Sequence, residues 1–297
     1  MSASTSGRNL RLQTTRSLLA AALLLAGLLA TLPAQGSGLP SALVAVATPA
    51  ALGASVAGQV RLPGAPADGW ARYEVPMVAG SEGPCCHEIH RGGVVRRDCN
   101  LDRRSGSIQI DTSTDVEPGS LAVYLHFDAG AIDRVRAFAA SCPVRADSTP
   151  VTLAVDPDAS VRLLAALAGA DGKRSDEAVM ALAHHAGAQA TTALVALVDD
   201  DGNAGDVREQ AVFWLGQLRG QAGADTLERV IRSDADHDLR EHAVFSLSES
   251  EHGGDAALIR IVRGDYSREV KKKALFWLGQ SGSDEAIAFL DSVLAAD

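Results

Sequence analysis

The second half of this 297-residue chain contains no cysteine; Cys85, Cys86, Cys99 and Cys142 all lie before residue 156. That absence excludes thiolate and disulfide chemistry from the C-terminal half, which must hold together by packing and hydrogen bonds alone. Long apolar runs are missing too. The segment Leu18–Ala30, 13 residues of leucine, alanine and one glycine, is too short to span a bilayer comfortably. A second apolar stretch, 42–57, is broken by Pro49 and Gly53. Nor is there a basic excess: 27 Arg/Lys stand against 37 Asp/Glu. Residues 1–155 are nearly balanced, so the negative excess falls in 156–297, where 25 acids face 14 bases. An acidic surface of that kind repels phosphate backbones, which excludes nucleic acid as the expected main partner.

What is present begins with an export pattern. Arg8, Arg11 and Arg16 form a basic stretch without an acid, followed by the apolar run and small residues that could be cleaved after Ala34 or Ala47. Residues 1–34 are therefore expected to be a signal peptide and 35–57 a linker, which places the mature chain outside the cytoplasm, in a periplasm. Membrane contact is expected only through this N-terminal segment, if it stays uncleaved as an anchor.

Residues 58–155 change character. Short runs of near-alternating polarity, at 70–75, 94–99, 107–111, 121–127 and 132–139, are separated by turn residues such as Pro118-Gly119 and Asp128-Ala-Gly130. They predict a small antiparallel β domain. In the last run Arg134 and Arg136 alternate with Val135 and Ala137, so one face can bury while the other stays wet. With an export signal in front, the four cysteines read as two disulfides. A bond between neighbours Cys85 and Cys86 would be strained, so Cys99 and Cys142 each take one of them, in either order.

Residues 156–297 repeat. Ala211-Val-Phe-Trp-Leu-Gly-Gln217 returns as Ala274-Leu-Phe-Trp-Leu-Gly-Gln280, with degraded copies starting at Ala243 and Ala178. Those alanines are 31 to 33 residues apart, a period that means stacked supersecondary units. Asp156 and Pro157 suit the N-cap and first position of a leading helix, with Val161, Leu164, Ala165 and Ala168 on its apolar face and Gly169 closing it. Thereafter each unit pairs a helix carrying the alanine motif with a second amphipathic helix, at 190–198, 224–231, 255–262 and 284–294. Val207-Arg208-x-x-Ala211-x-x-x-Leu215, Leu239-Arg240-x-x-Ala243-x-x-x-Leu247 and Val270-Lys271-x-x-Ala274-x-x-x-Leu278 resemble short HEAT-like repeats of the phycobilin-lyase type, over about residues 173–297. The resemblance implies an α-solenoid of about four helix pairs, and with the β region an α+β fold. Phe213, Phe245 and Phe276 recur at one position, with Met180 in the first unit, and are expected to form a buried ladder. Arg208, Arg240 and Lys271 are expected to contact the acidic turns of adjacent repeats. Gly216 and Gly279 are expected to mark close helix contacts.

Several constellations invite chemical readings. Cys85-Cys86-His87-x-x-His90 with Cys99 offers zinc-ligand types, but the Cys-x-x-Cys pairs of closed zinc sites are missing. Arg91, Arg96, Arg97, Arg103 and Arg104 crowd the same region; Arg96 and Arg97 are the candidate anion-binding pair. Asp199, Asp201 and Asn203, and again Asp234, Asp236 and Asp238, echo calcium loops, but Ala204 and Leu239 stand where such loops need glycine. Helix capping by Asp206 and Asp238 accounts for them better. His-Glu pairs on successive repeats, which a di-iron centre like that of deoxyhypusine hydroxylase requires, are missing. No catalytic residue, metal or cofactor is expected. The leading expectation is an exported protein-binding or scaffolding module whose partner contacts Glu209, Glu241 and Glu269; the alternatives are an enzyme centred on the Cys/His region, perhaps zinc-dependent, and an envelope sensor of anions.

Overall fold

Alternation along Gly69–Pro76 (β1) governs how the β region sits in the molecule. Ala71, Tyr73 and Val75 point to one face and are buried, while Trp70, Arg72 and Glu74 point to the other. A computed structural model describes residues 62–295 except 82, 91–92, 97, 104–107, 111–118, 171–174, 234–235 and 251–253. The expected signal peptide (1–34) and linker (35–57) lie outside the described residues. After β1 come the strands β2 (Pro84–His90), β3 (Gly93–Arg96), β4 (Cys99–Asn100), β5 (Ile108–Ile110), β6 (Ser120–Asp128), β7 (Ala131–Ala139), β8 (Val144–Arg145) and β9 (Val151–Thr152). The helices follow: α1 (Pro157–Ala168), α2 (Ser175–His184), α3 (Ala188–Asp199), α4 (Gly205–Leu218), α5 (Gly220–Ser233), α6 (His237–Ser248), α7 (Gly254–Arg263), α8 (Arg268–Ser281) and α9 (Asp284–Leu294). None of the described helices is long and apolar enough to cross a membrane.

The main sheet has the order β7-β6-β1-β9. Strand β6 is antiparallel to β1 along its whole length and to β7, which it joins through Ala129 and Gly130. Both turn residues have positive φ, 49° and 77°, the left-handed geometry that matches the twist of the flanking strands. The small mixed-sheet region departs from an all-antiparallel meander in two short places: β9 lies parallel to β1, and β4 parallel to β8. The Cys-Cys-His stretch, read from sequence as a ligand cluster, is strand β2, which pairs antiparallel with both β3 and β5. The run expected at 94–99 divides between β3 and β4.

Both faces of the main sheet are covered. Ala71, Tyr73, Val75, Val123, Leu125 and Val135 face the helices and belong to a core that continues through α9. Trp70, Ala122, Tyr124 and Phe138 face the other way, onto Leu101 and the four cysteines, in a second core. The face expected to stay wet is therefore partly dry, because the cystine-bearing segment folds over it.

Asp156 caps α1 as its residue type suggests, accepting from the Asp158 and Ala159 amides, with Pro157 at the helix start and Gly169 at its C-cap. The stack then builds in two rows. Helices α2, α4, α6 and α8 pack one on the next, and α3, α5 and α7 each pack on the first helix of the following pair. Helix α1 relates to α2 and α3 as α3 relates to α4 and α5. It therefore acts as the second helix of an incomplete pair, and the place of that pair's first helix is taken by β6 and β7 against α2. Backbone hydrogen bonds seal this junction: the Val78 amide donates to His184 O (2.8 Å) and the Ala186 amide to Pro76 O (2.9 Å). Tyr73 Oη meets Ser160 Oγ at 3.0 Å, and burial holds the Tyr73 hydroxyl well above the usual phenol range.

Ala178, Ala211, Ala243 and Ala274 are fully buried at the helix contacts. A Cβ on Gly216 would lie 2.9 Å from Ser246 O, so α4 and α6 approach closely there, as the glycine predicts. Gly279, at the equivalent position of α8, has no neighbouring atom within 4 Å of such a Cβ. Capping differs from expectation in the middle of the stack. Asp236, not Asp238, caps α6, and Ala204 precedes α4 without a side-chain cap. Asp206, Asp238 and Glu269 lie instead in first turns, where the positive end of the helix dipole favours them.

Candidate interaction surface

The first helices of the four pairs present successive polar contacts across every seam. Arg136 of β7 pairs with Glu177 of α2. Gln210 Nε2 of α4 donates to Asp176 Oδ1 of α2 at 2.8 Å. Glu209 lies 4.0 Å from His242 Nδ1 on α6, and Glu241 of α6 pairs with Lys273 Nζ of α8. His237 Nε2 lies 3.8 Å from Glu241 and 3.6 Å from Glu269. The candidate partner residues Glu209, Glu241 and Glu269 thus line one surface, each beside a basic group of an adjacent helix. Their side chains are 40%, 37% and 68% exposed, so these pairs are well solvated and contribute at most about 1 kcal/mol each. The carboxylates remain accessible to a partner. On the other row, Arg229–Asp199 (2.8 Å) and Arg260–Glu228 bridge successive second helices.

The phenylalanine position runs along the same surface, and it is not the uniform buried ladder expected from sequence. Met180 is 9% exposed, Phe213 and Phe245 are half-buried, and Phe276 is 53% exposed. The cause is the neighbour that each ring meets. Phe245 meets Trp277 of the next repeat in a tilted contact, 4.9 Å between centroids. Phe213 meets Trp214 of its own helix edge-on at 5.2 Å and packs on the main core, whereas Phe276, on α8, has no described ring of a following repeat over it. The result is a ridge of rings that emerges from the core toward α8, with carboxylates beside it.

Two buried arginines act as interior pins. Arg208 matches expectation: its Nε donates to Val198 O at 2.8 Å, and its guanidinium reaches Asp201 (3.3 Å) and Asp236 (3.9 Å) in the acidic turns on either side. Arg219 was not singled out by sequence reasoning. Its Nη2 donates to the carbonyls of Leu182, Ala183 and His185, at 2.7 to 3.0 Å, where α2 ends. Burial lowers its pKa to about 10. Cationic capping of buried helix C-terminal carbonyls that the helix itself leaves without a donor explains the placement.

His184 and His185 sit at the sheet–helix junction and are almost fully buried. Each Nδ1 meets a backbone carbonyl, Met180 O and Ala186 O respectively, and each Nε2 is buried without a hydrogen-bond partner among the described residues. Burial pushes His184 down to about 4 and lowers His185 as well, with Arg219 adding to both effects. His184 packs edge-on to Trp214 at 5.0 Å. The neutral ring is therefore the form that this site accepts.

In the β region Cys85 is bonded to Cys142 and Cys86 to Cys99, one of the two orders open from sequence. The sulfurs of Cys85, Cys99 and Cys142 crowd within 4.8 Å of one another, but as cystines they offer no thiolate to a metal or an electrophile. Arg96 lies on β3 with its backbone opposite His87, while Arg97 falls outside the described residues. Beside the cystines, Trp70 Nε1 donates to Asp102 Oδ1 at 2.8 Å, and the Asp147 amide donates to Oδ2 at 2.7 Å. Burial works against the Asp102 charge, but these donors, with Arg134 and His126 nearby, hold its carboxyl below the usual range. That network locks the loop after β4 onto the sheet.

Residues 160–248, from α1 to the end of α6, match the family model of HEAT repeats. Together with the stacked helix pairs, this match defines the C-terminal part as a HEAT-like repeat region. No curated protein matches the chain.

Proposed function

We propose that this chain works outside the cytoplasm as a protein-binding or scaffolding module, and that a partner lies along the first-helix surface. The observation that carries this reading is the coincidence there of the emerging Phe213, Phe245 and Phe276 ridge with the accessible carboxylates of Glu209, Glu241 and Glu269. Solenoids expose a long surface relative to their mass, and aromatic side chains beside charges supply both anchoring and orientation. Export is supported by the two cystines, which persist in oxidising compartments, and by the order of basic, apolar and small residues before Gln35. The short repeat period also supports the likeness to the phycobilin-lyase type, which concerns repeat geometry and implies no activity. Reversing Glu209, Glu241 and Glu269 to Lys should weaken partner capture from the native envelope and change its salt dependence while shifting the melting temperature little. Capture indifferent to the triple reversal would move the binding surface elsewhere.

A further inference from the structure

We infer that the outward face of α8 and α9 is a self-association surface that takes a second copy of this chain. At the internal seams, each first helix presents one side to its successor: Val212 and Val244 are fully buried, and Phe245 is covered by Trp277. Helix α8 presents the same side with nothing described against it. Leu275, equivalent to Val244, is only half-buried; Phe276, equivalent to Phe245, is 53% exposed; and Gly279, equivalent to the close-contact Gly216, meets open space. Helix α9 continues the apolar face. It buries only Ala286 and Phe289, while Ile287, Val293 and Leu294 are 50%, 38% and 75% exposed. All but one of the large hydrophobic residues exposed among the described residues cluster on these two helices, and exposed clusters of this kind mark interaction sites.

Charge decides the occupant. Helix α8 carries four bases against a single acid, in an otherwise acidic repeat region; Lys273 turns back to Glu241 of α6, and Arg268 and Lys272 are the exposed ones. Helix α9 carries Asp284, Glu285 and Asp291 and no base. Lys272 is exposed where the internal repeats present Glu209 and Glu241 to a base of the next helix; Asp284, Glu285 and Asp291 are exposed as well. The face is thus basic on one helix, acidic on the other and apolar between. A two-fold axis between α8 and α9 sets each basic half against an acidic half and closes the apolar middle, which is the self-complementarity that an isologous dimer requires. A partner of one charge sign would match only half of this face.

The test is sedimentation velocity of the full oxidised chain over a range of concentrations, alone, so that its outcome is independent of the partner proposed above. A monomer–dimer equilibrium is expected. Ile287→Asp and Lys272→Glu should each weaken it about tenfold or more, with the melting temperature of the dilute monomer little changed because both side chains are exposed. Adding Asp284→Lys and Asp291→Lys to Lys272→Glu should restore dimerisation by exchanging the two charges. A chain that stays monomeric at every concentration overturns the inference, as does a dimer that none of these substitutions weakens, or one that the combined charge exchange fails to restore.

Discussion

At the scale of single residues, the buried histidines have the most direct consequence. His184 binds a proton with a pKa of about 4 in the folded chain, against an ordinary value near 6.5. Between those values the unfolded chain holds the proton and the folded chain does not, so stability falls as pH drops through that window. From pH 7 to 4.5 the loss from His184 is about 2–3 kcal/mol, and His185 adds in the same direction. Urea unfolding at the two pH values should show this loss, and His184→Leu should shrink the difference between them; an unchanged difference would mean that the ring is not held neutral. Nothing in the sequence pointed to this site. The environment of His184 and His185 comes from Trp214, Arg219 and Met77, contributed by α4, the turn before α5 and the segment after β1, all distant in sequence. Arg208 was legible because its repeat position lies next to acidic turns; Arg219 has no repeat equivalent to announce it.

At the scale of elements, the alanine motif works by letting helices approach. Ala211, Ala243 and Ala274 are fully buried between neighbours, so a Leu at any of them overpacks the stack and should cost about 1–3 kcal/mol in denaturant unfolding. No loss at all three positions would contradict the packing described. Helix pairs and strands were readable from period and turn residues, including the cap at Asp156 and the Asp128-Ala-Gly130 turn. Strand β2 was not, because its Cys-Cys-His residues suggested ligands and its partners β3 and β5 are separated in the chain by β4, which pairs elsewhere, with β8. The phenylalanine ladder was misjudged for a related reason. The recurrence of a ring is visible in the sequence, but not whether a following helix lies over it, as it does for Phe245 and does not among the described residues for Phe276.

At the scale of the molecule, the sheet and the helices share one core, and the sheet stands where a preceding helix would, against α2. Such a sheet also answers the need of a solenoid for a finished end. The cystines stiffen its far side. Loops separated by 57 and 13 residues contribute roughly 3–4 kcal/mol each by the chain-entropy argument, so reduction under native conditions should lower the melting temperature substantially. An unaltered melting temperature after complete reduction, verified by thiol alkylation, would show that Trp70, Tyr124 and Phe138 hold that face without them.

The claim on which the rest depends is that the repeats form a nearest-neighbour stack anchored on the sheet. Native-state hydrogen exchange of the wild-type chain and Ala274→Leu measures it element by element. The account predicts that the substitution lowers protection in α7, α8 and α9, weakens it slightly in α6, and leaves β1, β6, β7, α1 and α2 as protected as before. Equal loss of protection in the sheet and in α8 would contradict the account, because a single cooperative globule, not a stack, would then be the unit that unfolds.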